Sequence, residues 1–360
     1  MKTYKLGEVC DLSKGKTITR ATTRAGEIPV IGGGLGPTYH HDVANRKPPV
    51  ITISASGANA GYVNFWEVPI WASDCTTIIE KSKSPASIGY IYKYLQSRQE
   101  HINSKLRRGS AQPHVYLSDI AELEIPLPSL DEQQQIVDKL DSAFSEIEEL
   151  RKKTIEQRQS FSLLALSSVQ NLLADTSVER IAVTIDQISE NLDNQRIPIT
   201  RDVRIGGSYP YYGASGIIDY VEKYIFEGDA LLVSEDGANL LARSTPIAFS
   251  VTGKYWVNNH AHVLKFQDPY LQKYVEFFLE NTKLDPYITG AAQPKLTQRA
   301  LNTIPIQIPR KNEDLLEVTE RITNLNQLFA LSSAKLKVKL ESINELKFSI
   351  LGEYFELEAS

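Results

Sequence analysis

Cysteine is all but missing from this sequence. Cys10 and Cys75 are the only two among 360 residues, which excludes a disulfide framework or a cysteine-based zinc site and fits a reducing, cytoplasmic setting. No run of 18 apolar residues occurs, so no membrane span is expected, and Met1-Lys2-Thr3-Tyr4 starts no apolar signal core. Charge of one sign is lacking too. A net charge of −5 gives none of the bulk basicity that marks an autonomous nucleic-acid binder. The 42% hydrophobic and 23% charged content is ordinary for a globular chain, and the length suits two domains.

Catalytic signatures are equally scarce. Gly15-Lys16-Thr17 would need a glycine five residues before Gly15 to make a phosphate loop, and Cys10 stands there. Gly32-Gly33-Gly34-Leu35-Gly36 fails as a dinucleotide fingerprint, because Pro37 and Tyr39 occupy the places of the third glycine. Lys47-Pro48-Pro49-Val50 and Asp285-Pro286-Tyr287 each lack an element of the Asn/Asp-Pro-Pro-Tyr/Phe motif of adenine methyltransferases. His40-His41 and His260-Ala261-His262 have no companion ligands at zinc spacing. The expectation is a chain that is not an enzyme and holds no metal.

What is present is written twice, at an offset of about 181 residues. Gly109-Ser110-Ala111-Gln112-Pro113-His114 returns as Gly290-Ala291-Ala292-Gln293-Pro294-Lys295. Ile28-Pro29-Val30-Ile31-Gly32 returns as Tyr209-Pro210-Tyr211-Tyr212-Gly213. Ser54–Asn59 corresponds to Ser234–Asn239, Trp71 to Trp256 and Leu127-Pro128 to Ile308-Pro309. Buried strands are expected at Pro49–Ile53 and Ala230–Val233, and helical stretches near Ile88–Arg107 and Pro269–Asn281.

Each half then closes with a long helix. After Ser129 and Asp131, which are capping candidates, apolar residues recur in a 3/4 alternation at Val137, Leu140, Phe144 and Ile147, then at Phe161, Ala165 and Leu172. Leu315, Ile322, Phe329, Leu336, Ile343 and Ile350 stand seven apart, with Val318, Leu325 and Leu346 at companion positions. About 40 helical residues would reach roughly 60 Å. Two separate amphipathic helices, each packed on its own domain, are conceivable. The narrow apolar stripe favours an antiparallel coiled coil within the chain instead. The expected fold is α+β: two similar α/β domains at 1–128 and 178–309, and spacer helices at 129–174 and 310–356, related by a pseudo-twofold axis.

A duplicated domain on a rigid spacer suits duplex DNA, which offers two sites at a fixed interval. Residues 1–128 carry 15 basic and 11 acidic side chains, a net +4. The second domain, 178–309, carries 12 and 15, a net −3. Lys14, Lys16, Arg20 and Arg24 lie among glycines and threonines in one loop-like stretch, and Lys105, Arg107 and Arg108 precede the first glycine loop. Such side chains contact phosphates or guanine edges. Gln112 and Gln293 could bind adenine or cap local backbone, and His114, Tyr212 and Ser215 join the candidates. Counterparts in the second half are sparser: Arg196, Arg201, Arg204, Arg243, Lys295 and Arg299. Each of these also reads as an ordinary solvated charge.

Tyr209-Pro210-Tyr211-Tyr212-Gly213-Ala214-Ser215-Gly216, the Gly-x-Ala-Gln-Pro-basic loop and Ile125-Pro126-Leu127-Pro128 followed by Asp131-Glu132-Gln133-Gln134-Gln135-Ile136-Val137 together resemble the specificity subunit of type I restriction–modification systems, over essentially the whole chain. The resemblance implies that each globular domain reads half of a bipartite double-stranded DNA target. It also implies that the helices dock two methyltransferase subunits, which bring S-adenosylmethionine, and that restriction subunits with ATP and Mg join them. The second copy departs from the signature, with Arg310-Lys311-Asn312-Glu313-Asp314-Leu315 in its place. A scaffold with two ligand-binding domains on a coiled-coil strut, and no nucleic acid, is the alternative.

Overall fold

Short β-branched runs bounded by glycine and proline become strands here, and the two halves build the same set of them. The computed structural model describes residues 2–109, 111–290 and 293–355. Met1, Ser110 of the first glycine loop, Ala291 and Ala292 of the second, and Glu356 lie outside the described residues. The chain divides into two units, residues 1–155 with 337–360, and residues 156–336.

In the first unit, Val50–Ser54 is buried along its whole length and pairs antiparallel with Val63–Trp66 and Cys75–Glu80, the latter pairing in turn with Cys10–Lys14. A second, three-stranded sheet places Ile28–Ile31 between Tyr39–His41 and Trp71–Ala72, with the last strand parallel. The second unit repeats this plan. Ala230–Ser234 lies between Ala248–Val251 and Ala261–Lys265. Gly206–Gly213 lies between Gly216–Val221, antiparallel, and Lys254–Val257, parallel. The register carries the repeat to single residues: Val30 faces Trp71 and Tyr211 faces Trp256. Cys10 and Cys75 are buried in this framework, and burial pushes both thiols up to about 12.

One helix in each unit packs on the first sheet. Ile88–Ser97 is capped by the Ser87 hydroxyl, and Pro269–Asn281 by the Asp268 carboxylate. The stretch expected to continue to Arg107 breaks after Ser97 into one short helical turn, Gln99–His101, and a π-helical turn, Ile102–Leu106. Ile102 remains fully buried there, so the wider turn keeps an apolar anchor while redirecting the chain.

The long helices run Leu130–Leu173 and Asn312–Phe355. The Asp-Glu-Gln signature has a physical job at the first of them. Glu132 accepts from the Ser129 backbone (2.9 Å) and hydroxyl (2.7 Å), closing a capping box. Gln133 is fully buried; it accepts from Ser87 N and donates to the carbonyls of Pro85 and Pro128. The staple thus ties the start of the long helix to the cap of the shorter one. Asp314 holds the equivalent position in the second unit, and a cavity lined by Gln267, Asp268, Pro309, Arg310 and Leu315 opens beside it.

Within the first unit, Leu140 packs with Leu351 and Phe355 in one apolar cluster, joined by Val137, Phe144 and Ile350. Ile147 and Ile343 are buried as well, and Lys347 reaches Glu148 at 3.4 Å. Within the second unit, Leu315, Val318 and Ile322 pack with Val169, and the Phe161 and Phe329 rings meet edge to face at 6.2 Å. Leu336 is buried too. In both units the helix segments run antiparallel. Two seam assignments change. Leu346, expected in the seam, is 41% exposed, and Leu351 is buried one position beyond Ile350. Val169 takes the buried place next to Ala165 and Leu172. A 3.6-residue helix drifts against a seven-residue count, so the contact face moves round the helix over five heptads.

Two expectations follow. Replacing Ile322 by Asp should cost more than about 4 kcal/mol by burying an unpaired charge, whereas Leu346→Asp should stay within about 0.5 kcal/mol; thermal unfolding of both variants checks the pair. Native protein should resist alkylation by iodoacetamide at pH 8, while urea-unfolded protein takes label at Cys10 and Cys75, as mass spectrometry would show.

Candidate nucleic-acid interface

The basic stretch after Cys10–Lys14 is held as an ordered loop by backbone contacts. Lys16 N donates to Ala72 O at 2.9 Å, Trp71 Nε1 to Lys16 O at 2.9 Å, and the Tyr39 hydroxyl to Ile18 O at 2.6 Å. Lys14, Lys16 and Arg20 are exposed and make no ion pair among the described residues. Arg24 is partly neutralised by Asp42 at 2.9 Å.

The first glycine loop arrives at the same edge. Gly109 adopts φ +90° and Gly290 φ +87°, a region where a side chain would be strained and where a Cβ would collide with the carbonyl oxygen of Gln112 or Gln293. Gly57 N donates to Pro113 O, and Gly237 N to Pro294 O, both at 3.0 Å. Ser56 bridges His114 as Asp236 bridges Lys295. Ser56 also bonds Asp74, while Ser73 holds Ile18 N at 3.3 Å. The corner Ser73–Asp74 therefore brings the Lys14–Arg24 loop and the Arg108–His114 loop together.

Lys105 and Arg107 make no ion pair among the described residues. Arg108 is tied to Asp119 at 2.7 Å and lies over the Tyr116 ring at 5.5 Å, while the His114 ring stacks on Tyr116 at 6.3 Å. Tyr116 is an exposed aromatic that the sequence pattern does not single out. Both glutamines, Gln112 and Gln293, are exposed at the loop tips.

The second unit distributes its cations differently. Trp256 Nε1 donates to Ile197 O at 2.6 Å, the counterpart of the Trp71 bond. Arg201 and Ser215 are exposed. Arg204 lies over the Tyr211 ring at 4.4 Å and meets Asp219 at 3.3 Å. Tyr212 is half-buried against Phe249 and Tyr255, so it packs the sheet. Arg243 spends its donors on the carbonyls of Leu279, Glu280 and Thr282, closing the C-terminus of the Pro269–Asn281 helix, and burial lowers its pKa. Those bonds hold the guanidinium inside the unit.

Beneath this edge lies a network that the spacing did not reveal. Buried His262 faces Asp193 with Nδ1 at 2.6 Å and the Leu296 carbonyl with Nε2 at 2.8 Å. Both ring nitrogens are thus within hydrogen-bond distance of an oxygen. Arg196 pairs with Glu235 at 2.7 Å, and Lys295 reaches the same carboxylate at 3.1 Å. Asp193, Glu235 and His262 lie close enough to hold a cation, but their donor atoms are already engaged by these partners. Burial works to raise the pKa of both carboxyls. The His262 hydrogen bond at Asp193, and the Arg196 and Lys295 contacts at Glu235, outweigh it and hold both below the usual carboxylate range.

Because both folded values are depressed, the stability they contribute is complete above the unfolded carboxylate range near pH ~4 and fades as pH falls through the folded values. Glu235→Gln should lower stability at pH 7 by on the order of 3 kcal/mol, since Arg196 and Lys295 lose a buried partner. The gap to wild type should shrink in unfolding scans taken toward pH 3.

The comparisons with known proteins agree with this geometry. A family model described as type I restriction modification DNA specificity domain matches residues 1–157 and again residues 181–342. A type I restriction enzyme specificity subunit of Haemophilus influenzae is 37% identical over 149 residues, 41% of this chain and 37% of its own. A type I specificity subunit of Mycoplasma genitalium is 25% identical over 243 residues, 64% of this chain and 62% of its own. The chain thus spans less than two thirds of the length of these curated relatives. Among solved structures, a chain from work on complex assembly and conformational transition of the type I R-M system superposes with a TM-score of 0.75 at 15% identity, over 98% of this chain and 97% of that one. The HsdS subunit of Thermoanaerobacter tengcongensis gives 0.54 at 15% identity, over 98% and 96%. These two likenesses concern the fold. With one family domain matched in each half, the chain belongs to the type I restriction–modification DNA specificity family.

Proposed function

We propose that this chain is the sequence-reading subunit of a type I restriction–modification complex. Each unit reads one half of a bipartite duplex target, and the two long helices fix the interval between the halves. The observation that carries this reading is the family match, which falls once on each globular part. The cations Lys14, Lys16, Arg20, Lys105 and Arg107 of the first unit, which make no ion pair among the described residues, support it, because phosphate contacts supply most of the affinity for a duplex.

The helices seat two modification subunits in this reading. Leu163, Leu164 and Leu166 on the central helix, and Leu328 and Leu331 on the C-terminal one, are all exposed. Apolar side chains in such number on polar helices suit a covered surface. Methyl transfer, with its S-adenosylmethionine, belongs to those partners, and ATP with Mg to restriction subunits. Among the described residues, no helix is long and apolar enough to cross a membrane.

Methylome sequencing of the host tests the reading directly: a split adenine-methylated motif should vanish when the gene is deleted, and its persistence would refute the proposal. At residue level, Lys105→Ala with Arg107→Ala should weaken binding of the assembled complex about tenfold and flatten its salt slope by nearly two, at roughly 0.9 for each phosphate that is no longer neutralised. Arg108→Ala should do less, because Asp119 already engages that guanidinium. An unchanged slope in the double variant would take both side chains out of the interface.

A further inference from the structure

Three positions of one stretch of chain differ in chemistry between the two units. Lys16, Thr22 and Arg24 in the first align, at the repeat offset of about 181, with Ile197, Val203 and Ile205 in the second. Val203 and Ile205 are 65% and 66% exposed. They flank the hairpin formed by Gly206–Gly213 and Gly216–Val221. That hairpin is much longer than its counterpart, Ile28–Ile31 with Tyr39–His41.

The outer strand, Gly216–Val221, is the edge of its sheet. Edge strands of soluble proteins are ordinarily guarded by lysine, proline or a bulge that turns them away. This hairpin has such an irregularity between Tyr211 and Tyr212, and beside it the edge strand carries Ile217 at 47% exposure and Ile218 at 52%, two and three residues after the exposed turn residue Ser215. The charges of the segment cancel, with Arg201, Arg204 and Lys223 set against Asp202, Asp219 and Glu222. A neutral ribbon with an aliphatic tip is poorly suited to phosphates. It suits the one apolar feature of base edges in a duplex, the 5-methyl group of thymine. The major groove is where those methyl groups are displayed.

We propose that the Gly206–Val221 hairpin of the second unit enters the major groove and reads thymine methyl groups through Ile217 and Ile218. The proposal rests on the DNA-reading function above. It makes the two units read by different means, the first through charged and hydrogen-bonding side chains and the second through apolar contact.

The test uses the chain assembled with its modification subunits, and duplexes carrying the target motif with each thymine replaced in turn by deoxyuridine, which lacks only that methyl. Wild-type complex should lose about fourfold in affinity at one or more thymines of one half-target, the scale of one buried methylene. Ile217→Ser with Ile218→Ser should abolish that sensitivity in the same half and leave the other half untouched. Both side chains are exposed, and an unchanged melting curve would establish that the variant is folded. Indifference of the wild-type complex to every deoxyuridine overturns the proposal while leaving the DNA-reading function intact, as does a half-target pair free of A·T. Self-association of the chain through this edge, blocked by the same double variant in sedimentation while DNA binding is unaffected, overturns it in favour of a second copy. Absence of any sequence preference in the complex removes the underlying function itself.

Discussion

Neither globular part closes its core alone. In the first unit the apolar cluster on the Val50–Ser54 sheet is completed by Leu140 from one long helix and by Leu351 and Phe355 from the other. Phe355 is wedged edge-on against Tyr90 and Tyr94, with ring centres 5.4 and 5.5 Å away. In the second unit Val169 and the Leu315–Ile322 face play the same part. The long helices are thus structural walls before they are anything else. The orientation of each sheet is set by the seam it packs against, so the loops and edges of each unit are fastened to its longest helices.

The repeat keeps geometry and lets chemistry vary. Tryptophan-to-carbonyl bonds, glycine turns and loop tethers recur pair by pair between the units, down to matching 3.0 Å bonds from Gly57 and Gly237. What hangs on that frame differs. One edge carries free lysines and arginines; the other carries an ion-pair network that consumes Arg196 and Lys295, and an aliphatic hairpin. A frame built from backbone hydrogen bonds tolerates this divergence because main-chain groups are the same whatever side chains they bear.

Much of the architecture was readable because periodicity and repeats are properties of the sequence itself. The seven-residue spacing of Ile322, Phe329, Leu336 and Ile343 placed the seam, and the Gly-Gln-Pro pairs placed equivalent loops. Leu346 shows where that method stops, since a heptad count does not know how far the helix has rotated. The site was less legible. Arg243 and Arg20 look alike as letters, yet one closes a helix end and the other stands in solvent. His262, Asp193 and Glu235 are scattered over the second half, and the pairing of Ala230–Ser234 with Ala261–Lys265 brings Glu235 and His262 side by side. The aliphatic run around the second hairpin was visible as letters, but its exposure was not, because isoleucines next to a strand ordinarily go inside.

The placement of the last helical turns has a consequence for biosynthesis. The second unit is continuous in the chain, residues 156–336, whereas the first is interrupted and needs residues 337–360. A nascent chain therefore has the whole of its later half available to fold while Leu351 and Phe355, which seal the earlier half, are still unmade. The part synthesised first is the part finished last. Until then the faces of Tyr90 and Tyr94 that Phe355 covers lack that cover.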